Sequence, residues 1–353
     1  MVGASLAVAF IFNYPSGRLG DVVGRRPMMI AGALLYGVAG IGLAVAGSLP
    51  VLFAVRVVQG LGIAAILPSA NALVADLAPE AERGRAYSWI TGALLAGLTA
   101  GPAIGGLLSV IGLTAVFVFA AATGFVAAAI IPLAIPRVIA AQPGAPTSPA
   151  TSPSLPWRNI AAVLFATGGP FVLFGAYETA WSLFMHHLGA ADWVVGITFT
   201  LFGLPFVLVT PLAGWAADRY DRRLLALAGY AAACGWALVY PSLTSIPLII
   251  FLGLFESVGN AFSAPAISAQ LMSGVAEHSR GRAQGLALAV QSGSQATGAL
   301  VAGALFGMGI GMPFYVGAAA GFLSLAIAGA LFFVGAPSAP HPTLPPYTGG
   351  GPS

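Results

Sequence analysis

The sequence predicts an all-α membrane protein of two pseudo-symmetric helical bundles, with eleven transmembrane helices in this chain. Three observations carry that expectation. The 353-residue chain is 58% hydrophobic and only 7% charged, with a mean hydropathy of +0.94, whereas soluble domains carry roughly 25% charged residues. Its solvent is therefore largely lipid. Eleven apolar segments approach the about 20 helical residues that a bilayer requires. The chain also repeats itself at an offset of 197 residues: Gly17 matches Gly214, Asp21 matches Asp218, Arg26 matches Arg223, Pro68 matches Pro265, and Gly101 matches Gly298. No insertion breaks that register, and two long copies exclude a solenoid.

The segments run roughly 1–16, 28–47, 51–75, 86–108 and 112–135 in the first copy. The second copy has 158–185, 194–216, 223–242, 246–272, 283–306 and 312–334. The first segment lacks the basic start and small-residue cleavage site of a signal peptide. Residue 1 corresponds to residue 198, so the helix at 158–185 has no first-copy counterpart in this chain. A complete pair of six-helix halves would need one more helix before Met1, so about 40 residues are expected to be missing, through a misplaced start, a truncation or real loss. The expected units are an N-terminal bundle at 1–135, a linker at 136–157, a C-terminal bundle at 158–334 and a tail at 335–353. Linker and tail are dominated by Pro, Ala, Ser, Thr and Gly and cannot bury a core.

The first island, Gly17–Arg26 (GRLGDVVGRR), holds Asp21 among Arg18, Arg25 and Arg26, with Gly20 and Gly24 available for a tight turn. Its copy is Gly214–Arg223 (GWAADRYDRR), with Asp218, Arg219 and Arg222. All thirteen basic residues are arginine, and twelve of them fall in alternate turns on one side of the predicted spans. The positive-inside rule makes that side, and with it the C-terminus, cytoplasmic. Dispersed arginines in membrane-flanking turns carry no signal for nucleic acid. The lone cysteine, Cys234, sits in an apolar run and reads as an inert thiol.

Charges inside spans are expensive in lipid and mark pathways or proton relays. Arg56 lies about two turns inside its segment. Glu256 lies ten residues after Ile246, roughly 15 Å deep and near the midplane. A carboxyl group there is poorly solvated, which disfavours its charged form. The repeat aligns Glu256 with Gln59 and Arg56 with Gly253. Pseudo-symmetry would then place Gln59 and Glu256 at similar depth across a central cavity. Asn260 follows one turn after Glu256 on the same face; Glu178 has Trp181 three residues on, with His186 and His187 at the interface. Gly97, Gly101 and Gly105 form a small-residue stripe suited to close helix packing. Pro102 removes a backbone donor and bends that helix. The second copy has Ser294, Gly298 and Ala302, with Ala299 in place of the proline.

In these motifs the chain resembles the major facilitator superfamily. The first island is similar to that family's loop signature between its second and third helices. Arg56–Ala65 (RVVQGLGIAA) resembles the fourth-helix signature, and Pro79–Ala86 (PEAERGRA) the connection that follows it. Gly97–Gly106 (GLTAGPAIGG) resembles the fifth-helix signature of the drug–proton antiporter branch. The resemblance implies the major facilitator fold and alternating access by rocking bundles. It also implies a cytoplasmic latch drawn from Gly17, Asp21, Gly24, Arg25, Arg26, Arg85, Asp218, Arg219 and Arg222, and a bendable helix at Gly97, Gly101, Pro102, Gly105 and Gly106. Proton-coupling or substrate roles are expected for Glu256, Arg56, Glu178, Gln59, Asn260 and Trp181.

There is no phosphate-binding Gly-Lys-Ser/Thr loop and no cysteine–histidine metal spacing. The expectation is thus a non-enzymatic protein without cofactor, driven by a proton gradient, monomeric in the plasma membrane. Proton-coupled efflux of small organic molecules, drugs included, is the leading function. A nutrient symporter or facilitator, and a non-transporting sensor, scaffold or inactive fragment, are the alternatives.

Overall fold

A computed structural model describes residues 2–77, 83–135, 155–275 and 280–334. The linker at 136–154 and the tail at 335–353 lie outside the described residues. Eleven α-helices follow one another: α1 (Val2–Val23), α2 (Arg25–Val45), α3 (Leu49–Leu77), α4 (Arg83–Ser109), α5 (Leu113–Ala134), α6 (Trp157–His187), α7 (Asp192–Arg219), α8 (Arg222–Val239), α9 (Ile246–Met272), α10 (Arg280–Met308) and α11 (Met312–Phe333). A single 3₁₀ turn, Tyr240–Ser242, extends α8. No strand is present among the described residues.

Among the described residues, nine of these helices are long and apolar enough to cross a bilayer by length and composition, α1 and α10 falling outside that set. Both carry polar residues within their length: Asn13, Tyr14 and Ser16 in α1, and Gln284, Gln291, Ser292 and Gln295 in α10. Both also pack against other helices, α1 on α3 and α10, and α10 on α6. Their polar groups therefore have protein rather than lipid available as a partner, which is how polar side chains are tolerated at membrane depth.

The first island differs from the expected turn. α1 runs through Asp21 to Val23, α2 restarts at Arg25, and the break is the single residue Gly24. Its φ of +103° is in the region that glycine alone adopts without strain. In the copy the break is at Tyr220 and Asp221, and the Asp221 carboxylate caps α8 by accepting from the Arg223 backbone N–H at 2.8 Å.

The first bundle is formed chiefly by α1, α2, α3 and α5, and the second by α6, α8, α9, α10 and α11, with α7 against α9. The largest continuous apolar core lies in the second, around Trp181, Phe184, Tyr240 and Phe314. α4 departs from its own bundle and packs mainly on α7. Two seams thus join the halves, α4 with α7 and α1 with α10.

Both seams close at the end remote from the arginine islands. A Cβ on Gly196 of α7 would lie 2.8 Å from the Gly106 Cα of α4, and one on Gly3 of α1 would lie 2.8 Å from the Leu300 backbone nitrogen of α10. Further along the first seam, the Thr200 hydroxyl donates to the Thr99 carbonyl at 2.8 Å. That carbonyl lies three residues before Pro102, next to the backbone donor the proline removes. Toward the arginine end, an added Cβ at Gly92, Gly214 or Gly285 meets nothing within 4 Å.

The small-residue stripe behaves differently from expectation. An added Cβ at Gly97 or Gly101 meets nothing within 4 Å, and at Gly105 only Val116 at 3.7 Å. The close approach is made instead by Gly106, on the adjacent face of α4. The second copy uses the stripe: Gly298 of α10 packs against the Val172 backbone of α6. That helix is the one without a first-copy counterpart in this chain.

Candidate functional site

The α4–α7 seam and the second bundle enclose a cavity of about 350 Å³. It lies on the arginine side of the Gly106–Gly196 contact. α4 contributes Leu95, Leu98, Thr99 and Pro102 to its wall, and α7 contributes Phe199, Phe202, Gly203, Phe206 and Val207. Phe171, Phe174, Tyr177 and Trp181 come from α6, Tyr230 and Ala233 from α8, and Glu256, Ser257, Asn260 and Ala264 from α9. Eight of these residues are aromatic, one carries a carboxyl group, and none is basic. Large π-faces give such a wall affinity for flat apolar ligands, and a few convergent polar groups orient them.

α9 presents Glu256, Ser257, Asn260 and Ala264 on one stripe because helical positions one turn apart share a face. Glu256 is 3% exposed and accepts a hydrogen bond from the Tyr240 hydroxyl at 2.7 Å. The Tyr177 hydroxyl lies beside the same carboxyl, short of hydrogen-bond geometry. Around them Trp181 packs edge-on against Tyr177, Phe202 and Tyr240, with centroids 5.2 to 5.8 Å apart. Its indole N–H donates to the Thr198 hydroxyl at 2.9 Å. The Ser257 hydroxyl donates to the Phe202 carbonyl.

The other candidates fall elsewhere. Glu178 accepts from the Gln295 amide of α10 at 2.8 Å, while its second oxygen is buried without a partner among the described residues. Glu178 does not line the cavity, so Trp181 belongs with Glu256 rather than with its near neighbour in sequence. Arg56 donates to the Gln59 side-chain oxygen at 2.7 Å, within α3 of the first bundle. The Arg56 Nε is buried with no acceptor among the described residues. Neither Arg56 nor Gln59 reaches the cavity, contrary to the arrangement pseudo-symmetry suggested. The cavity draws much of its wall from α6, which has no first-copy counterpart in this chain, so α9 lines the cavity and its counterpart α3 does not. At Gly253, the counterpart of Arg56, an added Cβ would lie 2.6 Å from the Phe202 ring. The second copy needs a glycine there to seat that aromatic wall residue.

At the arginine end, Asp21 pairs with Arg25, and Asp218 with Arg222 at 3.5 Å. Both pairs are local, four residues apart on one island. Arg25 also donates to the Gly17 carbonyl at 3.1 Å, and Arg222 to the Ala217 carbonyl at 2.9 Å. Arg26 reaches the Pro132 carbonyl at the end of α5 at 2.7 Å, and Arg223 the Phe332 carbonyl at the end of α11 at 3.2 Å. Cations thus sit at carboxyl ends of helices, where the dipole favours them. Arg219 stacks over Trp215 at 4.8 Å. The Arg85 side chain lies outside the described residues. Among the described side chains, then, each island is tied to its own bundle. At the opposite end His186 bridges α6 and α7, with its Nε2 3.1 Å from Asp192 and its Nδ1 3.0 Å from the Ala190 carbonyl.

The sequence reading did not single out Tyr240, Tyr177, Thr198 or Gln295, which partner or neighbour the named candidates, nor the aromatic wall. Only Tyr240 carried a local signal, because it opens the Tyr-Pro-Ser break between two spans. The rest are ordinary residues in apolar helices. Among the described residues no group of three or more His, Cys, Asp or Glu side chains is placed to hold a metal.

The Major Facilitator Superfamily model matches residues 1–181 and 160–348. The chain is 24% identical over 330 residues to Quinolone resistance protein NorA of Staphylococcus aureus, covering 90% of this chain and 82% of that one. It is 26% identical over 323 residues to Multidrug resistance protein 2 of Bacillus subtilis, covering 88% and 80%. In fold it is similar to a D-xylose–proton symporter, with a TM-score of 0.70 at 16% identity over 93% of this chain and 85% of that one. It is also similar to a peptide transporter, POT, solved with alafosfalin, with a TM-score of 0.72 at 14% identity and the same coverage. The duplicated helical bundles, the glycine–aspartate–arginine islands and the family match over most of the chain agree: this protein is an integral, multi-pass membrane transporter of the Major Facilitator Superfamily.

Proposed function

We propose that this protein exports small, largely aromatic organic molecules, drugs among them, by proton-coupled alternating access. The observation that carries the reading is the cavity between the halves, with aromatic walls around one buried carboxyl group, Glu256. Resistance proteins at 24% and 26% identity support the direction and the substrate class. With the arginine end cytoplasmic by the positive-inside rule, the end at which Gly106 meets Gly196 is the outer one. Rocking the halves about the α4–α7 and α1–α10 seams would bring the islands together and part Gly106 from Gly196. Asp21 and Asp218 would then exchange their local arginines for partners across the gap, which is the latch. The working unit is a monomer in the plasma membrane, its C-terminus is cytoplasmic, and the proton gradient is its energy source.

The test is accumulation of a fluorescent quinolone in energised cells with and without the protein. Export lowers accumulation, a nutrient symporter raises it for its own solute, and a scaffold changes neither. Glu256→Gln should abolish gradient-driven export while the protein stays folded and membrane-inserted. Exchange without a gradient survives that substitution if Glu256 is a proton site, and is lost with binding if it is a substrate site. Export with unchanged pH dependence in Glu256→Gln would remove Glu256 from the mechanism.

A further inference from the structure

We infer that Asn260, not Glu256, is the cavity's main polar contact with the solute, and that it selects aromatic molecules bearing an uncharged hydrogen-bonding group. The inference rests on the cavity being the solute site, and it divides labour between two residues that share one stripe of α9. Glu256 is almost wholly buried and already accepts from Tyr240 at 2.7 Å. The neighbouring Ser257 hydroxyl is committed to the Phe202 carbonyl. Asn260 lines the same wall, and its amide has no partner among the described residues. An amide offers two donors and an acceptor with two lone pairs. Asn260 is only partly buried, so water can satisfy its amide in the free protein, and a ligand with a matching group replaces that water where a purely apolar one cannot.

The rest of the wall points the same way. The hydroxyls of Thr99 and Tyr230 also have no partner among the described residues, and they are uncharged. Among the described residues no cation lines the cavity to hold an anionic group. The feature belongs to the second copy alone, because the residue equivalent to Asn260 in the first is Ile63. A flat solute would lie against Phe171, Phe202 and Tyr177, with its polar edge turned to α9.

Three naphthyl probes separate the possibilities: 2-naphthol, naphthalene and 2-naphthylmethylammonium. Each is titrated into the full-length protein in lipid nanodiscs near neutral pH, with the probe's own fluorescence as the readout. The expected order in the wild type places 2-naphthol above naphthalene. Asn260→Leu should weaken 2-naphthol about tenfold, the size of one net hydrogen bond, and leave naphthalene within about twofold. Retained naphthalene binding also shows that the variant is folded. Should Asn260→Leu not fold, Asn260→Ala must show the same selective loss. Equal losses for 2-naphthol and naphthalene would overturn the inference, because Asn260 would then only shape the cavity. It is overturned equally if the ammonium probe binds best and its affinity follows Glu256→Gln rather than Asn260→Leu; that result leaves the export reading intact. If none of the three probes binds the wild type, the cavity is not the solute site, and the inference and the proposed function fail together.

Discussion

Replacing Gly196 by alanine should drive the two halves apart at the end where they now meet. The new Cβ would lie 2.4 Å from the Pro102 carbonyl oxygen and 2.8 Å from the Gly106 Cα. Carbon atoms rest at about 3.5–4.0 Å, so α4 and α7 must separate by roughly 1 Å. Both contacts are backbone atoms, which no rotamer change relieves. Overpacking of this kind costs about 1–3 kcal/mol. It penalises only the arrangement in which this end is closed, so the equilibrium should move by about 5- to 150-fold toward the arrangement open there. Gly106→Ala should do the same more weakly, since its Cβ would sit at 3.1 Å from the Gly196 Cα and the Trp193 carbonyl oxygen.

Spin labels at Val110 and His187, both exposed at this end, report the separation by pulsed electron spin resonance. The wild type should show a single short distance. Gly196→Ala should show a second, longer population that dominates, with Gly106→Ala between the two. An unchanged distance distribution in Gly196→Ala, in a protein that remains folded, would refute the reasoning: the seam would not be as tight as the backbone places it, or the halves would not move about it. Uniform destabilisation without a longer distance would also refute it, because the penalty would then fall on both arrangements.

Two further outcomes are expected. Tyr240→Phe removes the donor to a buried carboxyl and should cost about 1–3 kcal/mol, read as reduced stability in reversible detergent unfolding; in a Glu256→Gln background the cost should shrink by at least about 0.5 kcal/mol, and strictly additive costs would show that the two groups are not coupled. Asp21→Asn should change stability by no more than about 1 kcal/mol, because Asp21 is 58% exposed and its pair is a local one, yet transport should fall sharply while membrane insertion stays near normal; transport at the wild-type level would remove the latch role.

The membrane class, the duplication and the order of helices were legible in the sequence because each depends on composition or on linear register. A run of apolar residues long enough to span declares itself without reference to its neighbours. An unbroken 197-residue offset likewise displays two copies of one bundle. Charge inside a span is costly wherever the helix goes, so Glu256, Glu178 and Arg56 stood out before any contact was known. The partners of those charges were a different matter. Tyr240 reaches Glu256 because α8 ends in a 3₁₀ turn that brings its last residues over α9. Gln295 meets Glu178 because α10 packs on α6. Neither pairing has a signature in spacing, since the residues come from helices whose relative rotation is set by packing.

Symmetry misled in one respect for the same reason. The repeat aligns Gln59 with Glu256, but register says nothing about a cavity built on a helix that only one copy has in this chain. Much of the wall comes from that helix, α6, and α3 is left outside. Which glycines serve as contacts was also decided in three dimensions. Gly97 and Gly101 carry the recognisable spacing but an added Cβ there would meet nothing within 4 Å, while Gly106 and Gly196, 90 residues apart, bring two backbones together. Close helix approach depends on which face each helix turns to the other, and a one-dimensional pattern of small residues does not contain that angle.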